Sequence, residues 1–405
     1  MTHSKPGEND RLVSFLGTFR YQTTTYVFEE DEVTTEYVVR ALAQMTGARE
    51  VILLCTDEAW AVHGESLELQ LAEHKLPTVQ RRTLPLGQNP TELWEQFQSV
   101  LDALAHPKPQ ARIVFDITHG FRSQPFFAAA GLDFARAIKA DDALLQVVYG
   151  AFEARAGGQT PIWDLTAFVE LLDWSRALLL FLRTGRVDEV AAPTERLGRE
   201  LNKQWALQGR QGAQPQLRRL AEAFRRFGDA LVTVRTGRLL VDGAHPSAAR
   251  SLMLAIDEVG DEVKKYIPPL AQVLSMIRDM VIPLVTDKRL SQPEGQRALQ
   301  ALARLYFQMG RYAEAAATLR EAQVTRFAGP QADCPGSDSF DSEKREGAEN
   351  AWFQADPLRV KEIAELRNDI EHAGYRRHPM QPETIRTKVE QLIEQTYPYD
   401  SEQRS

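Results

Sequence analysis

Residues 116–122, which read DITHGFR, place an acid, a hydroxyl, an imidazole, a glycine and a guanidinium directly after the apolar run RIVF. The hydroxyl, the imidazole and the guanidinium can donate hydrogen bonds to a phosphate or nucleotide, and Gly120 lets the backbone approach a ligand closely. A helix that begins just after this segment would add free backbone N–H groups and partial positive charge. We expect Asp116 to hold the loop rather than to bind an anion. The alternative is an ordinary strand-to-helix turn with a capping residue.

Residues 17–26, which read GTFRYQTTTY, follow another apolar run and offer a second set of polar groups. Their hydroxyls and aromatic rings suit a base and a ribose better than a bare ion. The segment matches neither the G-x-G-x-x-G fingerprint nor the P-loop. The alternative interpretation is a threonine-rich surface turn.

Residues 366–374, which read LRNDIEHAG, combine an arginine, an asparagine and a histidine on one predicted helix. Histidine moves protons near neutral pH and arginine neutralises phosphate charge, so the set indicates a ribonuclease site. Arg367 and His372 lie five positions apart, which is about 140° around a helix, whereas Asn368 and His372 share a face. Two copies of the helix across a two-fold axis would bring the groups together. The alternative is an Arg367–Glu371 ion pair that leaves His372 in solvent.

Strand-like and helix-like segments alternate over residues 1–164, which predicts a doubly wound, mostly parallel sheet. Ligands of such sheets bind beyond the carboxyl ends of the strands, near the point where the strand order reverses. Because 17–26 and 116–122 both follow predicted strands, we expect them to form one site. Helical periodicity fills residues 165–405, apart from a polar stretch at 328–350 that we predict to be a mobile loop. The predicted fold class is α/β followed by all-α, in domains at 1–164 and 165–405.

The helices predicted around the sheet follow from the spacing of apolar residues. One spans 32–47 and ends at Gly47, and others lie near 64–75 and 90–105. A further helix is predicted over 124–140, directly after DITHGFR, with Pro125 suited to its first turn.

The composition excludes several classes of protein. The chain has 405 residues, a formal net charge of −8 and two cysteines. The negative charge argues against a dedicated DNA-binding protein and is neutral about a small RNA site. Two distant cysteines exclude a disulfide framework and a cysteine-rich zinc site, and the scattered histidines provide no metal site. The polar first residues and the shortness of every apolar run predict no signal peptide and no membrane span, so we expect a cytoplasmic protein.

Three segments together resemble one known family. DITHGFR resembles the D-x-T-H-G signature of CRISPR-associated Csx-type proteins, and SFLGTFRYQTTTY followed by VILLCTDEA is similar to the start of the same family. RNDIEH matches the R-x-x-x-x-H motif of HEPN ribonucleases, including the asparagine after the arginine. The order is also that of the family, a CARF sensor domain followed by a HEPN effector domain. The resemblance implies a Rossmann-like CARF domain at 1–164 and a helical HEPN domain at 165–405.

The resemblance implies a type III CRISPR accessory ribonuclease that acts as a homodimer or a higher oligomer. The CARF dimer would bind a cyclic oligoadenylate, most often cyclic tetra-adenylate, as an allosteric activator. The HEPN dimer would then cut single-stranded RNA without a metal or cofactor, leaving 2′,3′-cyclic phosphate ends. The residues implied or predicted to bind the cyclic ligand are Gly17, Thr18, Tyr21, Thr24, Thr25, Thr56, Asp116, Thr118, His119, Gly120, Phe121 and Arg122. The catalytic residues would be Arg367, Asn368 and His372.

Two alternatives stay open at this point. The CARF pocket could itself cleave its cyclic ligand, which would make the protein a ring nuclease. The protein could also be a sensor or scaffold in which the helical part only dimerises or binds a partner. A CARF transcription factor is disfavoured, because the sequence shows neither a winged-helix signature nor a strongly basic recognition helix. The size of the cyclic ligand is not fixed by these patterns.

Overall fold

The computed structural model describes residues 10–105, 112–120, 130–131, 144–207, 209–212, 214–266, 268–329 and 341–396. The chain divides into two compact units, Met1–Asp173 and Trp174–Ser405. Of the predicted helix at 124–140 only residues 130 and 131 are described, and both are helical. Phe121, Arg122 and Cys334 lie outside the described residues.

The first unit contains one mixed sheet, whose eight described strands run in the order β3-β2-β8-β7-β6-β1-β4-β5. The strands are β1 (Arg11–Leu16), β2 (Thr24–Phe28), β3 (Asp31–Thr35), β4 (Glu50–Cys55), β5 (Val79–Thr83), β6 (Arg112–Asp116), β7 (Leu144–Gly150) and β8 (Gln159–Asp164). From β5 to β7 every pairing is parallel, whereas β8 runs antiparallel to β7 and β3 antiparallel to β2. The chain extends from β1 to β4 and β5 on one side and returns to β6 and β7 on the other. The predicted Rossmann-like, mostly parallel sheet is confirmed.

Alternating side chains of the central strands feed two separate cores, one on each face of the sheet. Leu12 and Leu16 pack with Leu53 and with α1 (Val38–Thr46) and α2 (Asp57–Glu73). The intervening Val13 and Phe15 pack with α3 (Pro90–Leu104) on the other face. A fully buried leucine or phenylalanine contributes roughly 2 kcal/mol, so these apolar runs favour a sheet covered on both faces.

The helix predicted over 32–47 is wrong in its first part. Residues 24–35 form the hairpin of β2 and β3, and α1 begins only at Val38. The segments TTYVF and DEVTT are rich in β-branched and aromatic residues, which pack well on a pleated surface. Glu29 at the turn has φ of 56°. Within the predicted polar segment 17–26, Thr24 and Thr25 already lie in β2.

The second unit is helical throughout its described elements, as predicted for the all-α part. Its helices are α4 (Thr166–Thr184), which begins in the first unit, α5 (Asp188–Leu207), α6 (Leu217–Val232), α7 (Thr236–Leu240), α8 (Ala248–Tyr266), α9 (Pro268–Val281), α10 (Pro293–Gln308), α11 (Tyr312–Ala328), α12 (Ser342–Ala355), α13 (Pro357–Glu371) and α14 (Pro382–Thr396). Their core includes Phe181, Phe224, Phe227 and Tyr306, whose hydroxyl donates to the carbonyl of Leu231 at 3.0 Å. Ile363 and Leu366 belong to the same core, and they lie on α13, the helix that carries the predicted catalytic residues.

The loop predicted over 328–350 is wrong from residue 342 onward, because helix α12 begins there. Asp341 caps this helix by accepting from the backbone N–H of Lys344 at 3.0 Å. Ala348 and Trp352, four positions apart, are both buried and attach the helix to the core. The cap and this i,i+4 apolar pair both stabilise a helix within a polar sequence.

Candidate functional site

Two loops of the first unit meet at the carboxyl edge of the sheet. Gly17 follows β1, and residues 118–120 follow β6, the parallel neighbour of β1. A Cβ atom added to Gly17 would lie 3.3 Å from the carbonyl oxygen of His119, so the two backbones approach closely. This is the point at which the strand order reverses, where ligands of such sheets bind.

The loop after β6 is fixed by a buried carboxylate. Asp116 is fully buried and accepts hydrogen bonds from the hydroxyl of Ser14 at 2.6 Å and from the N–H of Thr118 at 3.0 Å. The hydroxyl of Thr118 also donates to Asp116, and it accepts from the N–H of Gly150 at 2.8 Å. Burial raises the pKa of Asp116, and the hydrogen bonds from Ser14 and Thr118 oppose that rise. The network ties the ends of β1, β6 and β7 together.

Replacing Asp116 by asparagine should destabilise the protein. The neutral amide accepts these hydrogen bonds less strongly than a carboxylate does, and the Ser14 hydroxyl would have to turn from donating to accepting where the amide nitrogen replaces an oxygen. We expect a cost of about 1–3 kcal/mol and a melting temperature lower by several degrees. Thermal unfolding checks this, with the exposed Asp102→Asn as the matched control. An Asp116→Asn melting temperature equal to that of the control would contradict the assigned network.

An aromatic stack joins the two loops. The ring of Tyr21 lies between two imidazoles, with centroids 4.3 Å from His119 and 4.5 Å from His63. The Tyr21 hydroxyl accepts from the N–H of Gly17 at 2.7 Å and donates to the Gly17 carbonyl at 3.1 Å. In the described part of the chain the buried Nε2 of His119 has no hydrogen-bond partner. An unpaired buried polar atom beside two loop backbones is a group that a ligand could satisfy.

The environment of His119 predicts a pH dependence of stability. Burial first, and the neighbouring His63 second, lower the pKa of His119 from 6.5 to about 4. Between these values the folded protein binds fewer protons at His119 than the unfolded chain does. The contribution of His119 to the free energy of unfolding should therefore be fully present above about pH 6.5 and be lost as the pH drops towards about 4. Denaturant unfolding at about pH 7.5 and about pH 4.5 checks this. Wild type should lose more stability than His119→Gln, and an equal loss would contradict the prediction.

Several predicted ligand-binding hydroxyls are engaged in hydrogen bonds within the protein. Thr24 donates to the carbonyl of Gly158 at 3.0 Å and lies 2.8 Å from the hydroxyl of Thr160, and Thr25 bonds Thr34 at 2.9 Å. Thr56 caps α2 by accepting from the N–H of Ala59 at 3.3 Å. A ligand contact by these hydroxyls would compete with bonds that already exist.

The structure thus brings together only some of the predicted ligand residues. Those at the meeting of the two loops are Gly17, Tyr21, Thr118, His119 and Gly120, with the exposed Thr18 on the loop after β1. His63, on α2, belongs to the same group and was missed by sequence reasoning. A single histidine within a helix carries no motif, and its place in the stack depends on the fold.

The predicted catalytic residues lie at the carboxyl end of α13. The guanidinium of Arg367 forms an ion pair with Glu371, Nε to Oε2 at 3.3 Å. Asn368 and His372 are exposed, and the backbone N–H of His372 donates to the carbonyl of Asn368 at 3.1 Å. The ion pair and the exposed histidine are the arrangement expected from the alternative interpretation of the motif.

The turn after α13 is rigidly attached to the helix. The side chain of Asp369 is buried and accepts from Arg376 at 3.1 Å and from the N–H of Met380 at 3.2 Å. Gly374, at φ of 71°, donates its N–H to the carbonyl of Asp369 at 2.9 Å. These bonds brace the backbone of the turn that follows His372.

Neither a metal site nor a membrane span is found in the described residues. No group of three or more His, Cys, Asp or Glu side chains there is arranged to hold a metal ion. None of the helices in these ranges is long and apolar enough to cross a membrane.

Comparison with known proteins gives limited matches. No protein-family model matches the chain. The CRISPR-associated protein MJ1674 of Methanocaldococcus jannaschii is 30% identical over 105 residues, which is 26% of this chain and 16% of that protein. The chain is therefore similar to a CRISPR-associated protein over a minor part of both lengths.

A solved structure of Enterococcus italicus Csm6 bound to cyclic hexa-2′-fluoro-hexa-dAMP aligns over 97% of this chain and 96% of its own. The sequence identity is 12% and the TM-score is 0.35. A TM-score this low does not establish a shared fold, so the architecture rests on the strand order and the helices described above.

Proposed function

We propose that this protein is a metal-independent, single-stranded RNA endoribonuclease of type III CRISPR antiviral defence that a cyclic oligoadenylate activates. The observation that carries the proposal is the meeting of residues 17–21 with residues 118–120 where the strand order reverses. The D-x-T-H-G and R-x-x-x-x-H matches at the two predicted sites, and the similarity to a CRISPR-associated protein, add support. The proposed CARF unit is the sheet-containing part, the proposed HEPN unit is the helical part, and the proposed location is the cytoplasm.

The proposed ligand site offers groups for a nucleotide rather than for a bare ion. His119 is neutral near pH 7 because burial lowers its pKa, so its unpaired Nε2 suits a base or a ribose hydroxyl. Thr18 and Arg20 are exposed on the loop after β1 and could reach the phosphates. Two copies of the site across a two-fold axis would suit cyclic tetra-adenylate, whose four nucleotides are identical.

The proposed RNA site requires the same dimer. His372 would assist the transfer of the 2′-hydroxyl proton as that oxygen attacks the adjacent phosphate. Arg367 would stabilise the charge on the phosphate, and Asn368 would orient one of the two. As the 2′-oxygen bonds to phosphorus, the bond from phosphorus to the 5′-oxygen breaks and that oxygen takes up a proton. One product would carry a 2′,3′-cyclic phosphate end and the other a 5′-hydroxyl. Arg367 would have to exchange its contact with Glu371 for one with the substrate.

A sensor or scaffold is the second candidate function. The Arg367–Glu371 ion pair and the exposure of His372 favour it, because they leave the motif without a catalytic arrangement in one chain. In that case the cyclic ligand would bind while RNA stayed intact.

A panel of cyclic tri-, tetra- and hexa-adenylate tests the proposal. Binding is measured by calorimetry, and single-stranded RNA is incubated with each compound while the ends of the products are analysed. We expect one compound to bind and to produce 2′,3′-cyclic phosphate ends. Binding without cleavage would favour the sensor, and no binding by any compound would refute the proposed ligand class. Incubating the ligand with His372→Ala shows whether the first unit cleaves it, as a ring nuclease would.

A further inference from the structure

His63, on α2, makes two contacts that reach the loop after β1. Its Nε2 lies 2.8 Å from the carbonyl oxygen of Phe19, and its Nδ1 lies 3.4 Å from the hydroxyl of Tyr37. A carbonyl oxygen only accepts, so Nε2 carries the proton and Nδ1 accepts from the tyrosine. The residue is 7% exposed, which places this tautomer in a protected environment.

The same imidazole supports the aromatic stack. The rings of His63 and Tyr21 are 28° from parallel, and the Tyr37 ring packs against both at 80° to each. The far face of Tyr21 meets His119, and the Tyr21 hydroxyl holds Gly17. His63 therefore contacts the loop through a hydrogen bond to Phe19 and through ring stacking on Tyr21. Both of these residues lie in the segment 17–21 of the proposed ligand site.

The loop after β1 has little burial of its own. Thr18 and Arg20 are exposed, and the side chain of Phe19 is 81% exposed, so burial of these side chains does not hold the segment. Instead, the hydrogen bond from the buried His63 to the carbonyl of Phe19 attaches the loop to α2. The position of the loop relative to His119 thus depends on a residue outside both sequence motifs.

We infer that His63 is a positioning residue: it holds residues 17–21 against His119 and so sets how tightly the site binds a cyclic oligoadenylate. This inference rests on the proposed function for the identity of the ligand. It assigns His63 no contact with the ligand and no role in RNA cleavage.

Two substitutions at position 63 distinguish the effect of the hydrogen bonds from the effect of side-chain volume. His63→Leu keeps the bulk and removes both hydrogen bonds, whereas His63→Gln retains an N–H for Phe19 and an oxygen for Tyr37. His74→Leu, at an exposed position just after the same helix, is the matched control. Affinity for cyclic tetra-adenylate is measured by calorimetry, and RNA cleavage is measured at saturating ligand.

We expect His63→Leu to bind about ten-fold more weakly, the loss of roughly one net hydrogen bond. His63→Gln should stay within about three-fold of wild type, His74→Leu should match it, and cleavage at saturating ligand should be equal in all. Equal affinity of His63→Leu and wild type would overturn the inference. Equal weakening of the leucine and glutamine variants would also overturn it, because the hydrogen bonds would then not be the cause.

A measurement on the unmodified protein does not depend on the variants folding or on the ligand. Nitrogen NMR of the histidine side chains should show His63 with its proton on Nε2. A proton mainly on Nδ1 would overturn the inference. If the wild-type protein binds none of the cyclic oligoadenylates, the proposed function is refuted. The position of the proton on His63 still tests whether His63 donates a hydrogen bond to the loop.

Discussion

Replacing His372 by alanine should abolish cleavage of single-stranded RNA while affinity for the cyclic ligand stays that of wild type. The histidine is the group in the R-x-x-x-x-H motif that can move a proton near neutral pH, and general acid–base catalysis contributes about 10²–10⁴-fold. The side chain is exposed at the end of α13, so the variant should fold normally. Cleavage rates at saturating ligand, together with calorimetric binding, measure the two effects separately.

His378→Ala is the matched control for this substitution. That histidine is also exposed and lies six residues further along the same surface turn, outside the motif. Its cleavage rate should equal that of wild type. An His372→Ala protein that still cuts RNA at the rate of the control would remove His372 from the mechanism.

Replacing His119 by alanine should have the opposite effects. It should weaken binding of the cyclic ligand and leave the rate of RNA cleavage at saturating ligand unchanged. The substitution removes the unpaired Nε2 and the ring that stacks on Tyr21. The loss of a hydrogen bond and an aromatic contact at a buried site is worth about 2–3 kcal/mol, or roughly 30- to 150-fold in affinity. Cleavage should return to the wild-type rate when the ligand is raised to saturation.

His74→Ala provides the control, since that histidine is exposed just beyond α2 and lies outside both loops in sequence. A His119→Ala protein with unchanged affinity would exclude this histidine from the ligand site. A His119→Ala protein that fails to cleave RNA even at saturating ligand would contradict the assignment of ligand binding to His119 and RNA cleavage to His372.

The architecture could be predicted where sequence pattern and burial coincide. Continuous apolar runs such as VILLC predict strands covered on both faces. In RIVFDITHGFR, the change from apolar to polar residues predicts where the strand ends. The meeting of 17–21 and 118–120 followed from those strands being parallel neighbours. The role of Asp116 in holding its loop also followed, because a carboxylate directly after a buried strand is placed to accept local N–H and O–H donors.

Other features depended on tertiary packing and could not be predicted. The apolar positions of 32–47 fit a helix as well as they fit a hairpin followed by a shorter helix, and only pairing of β2 with β8 decides between them. Helix α12 is fixed by the burial of Trp352, which the polar sequence around it does not indicate. His63 reaches Tyr21 because α2 packs on the sheet, and the local sequence does not predict this contact.

The most direct test is RNA cleavage by the wild-type protein in EDTA, with and without cyclic oligoadenylates. We expect slow cleavage alone and an increase of at least about ten-fold with one of the cyclic tri-, tetra- or hexa-adenylates, equal in EDTA and in Mg²⁺. No increase with any of the three, or cleavage that EDTA abolishes, would contradict a metal-independent ribonuclease activated by this class of ligand.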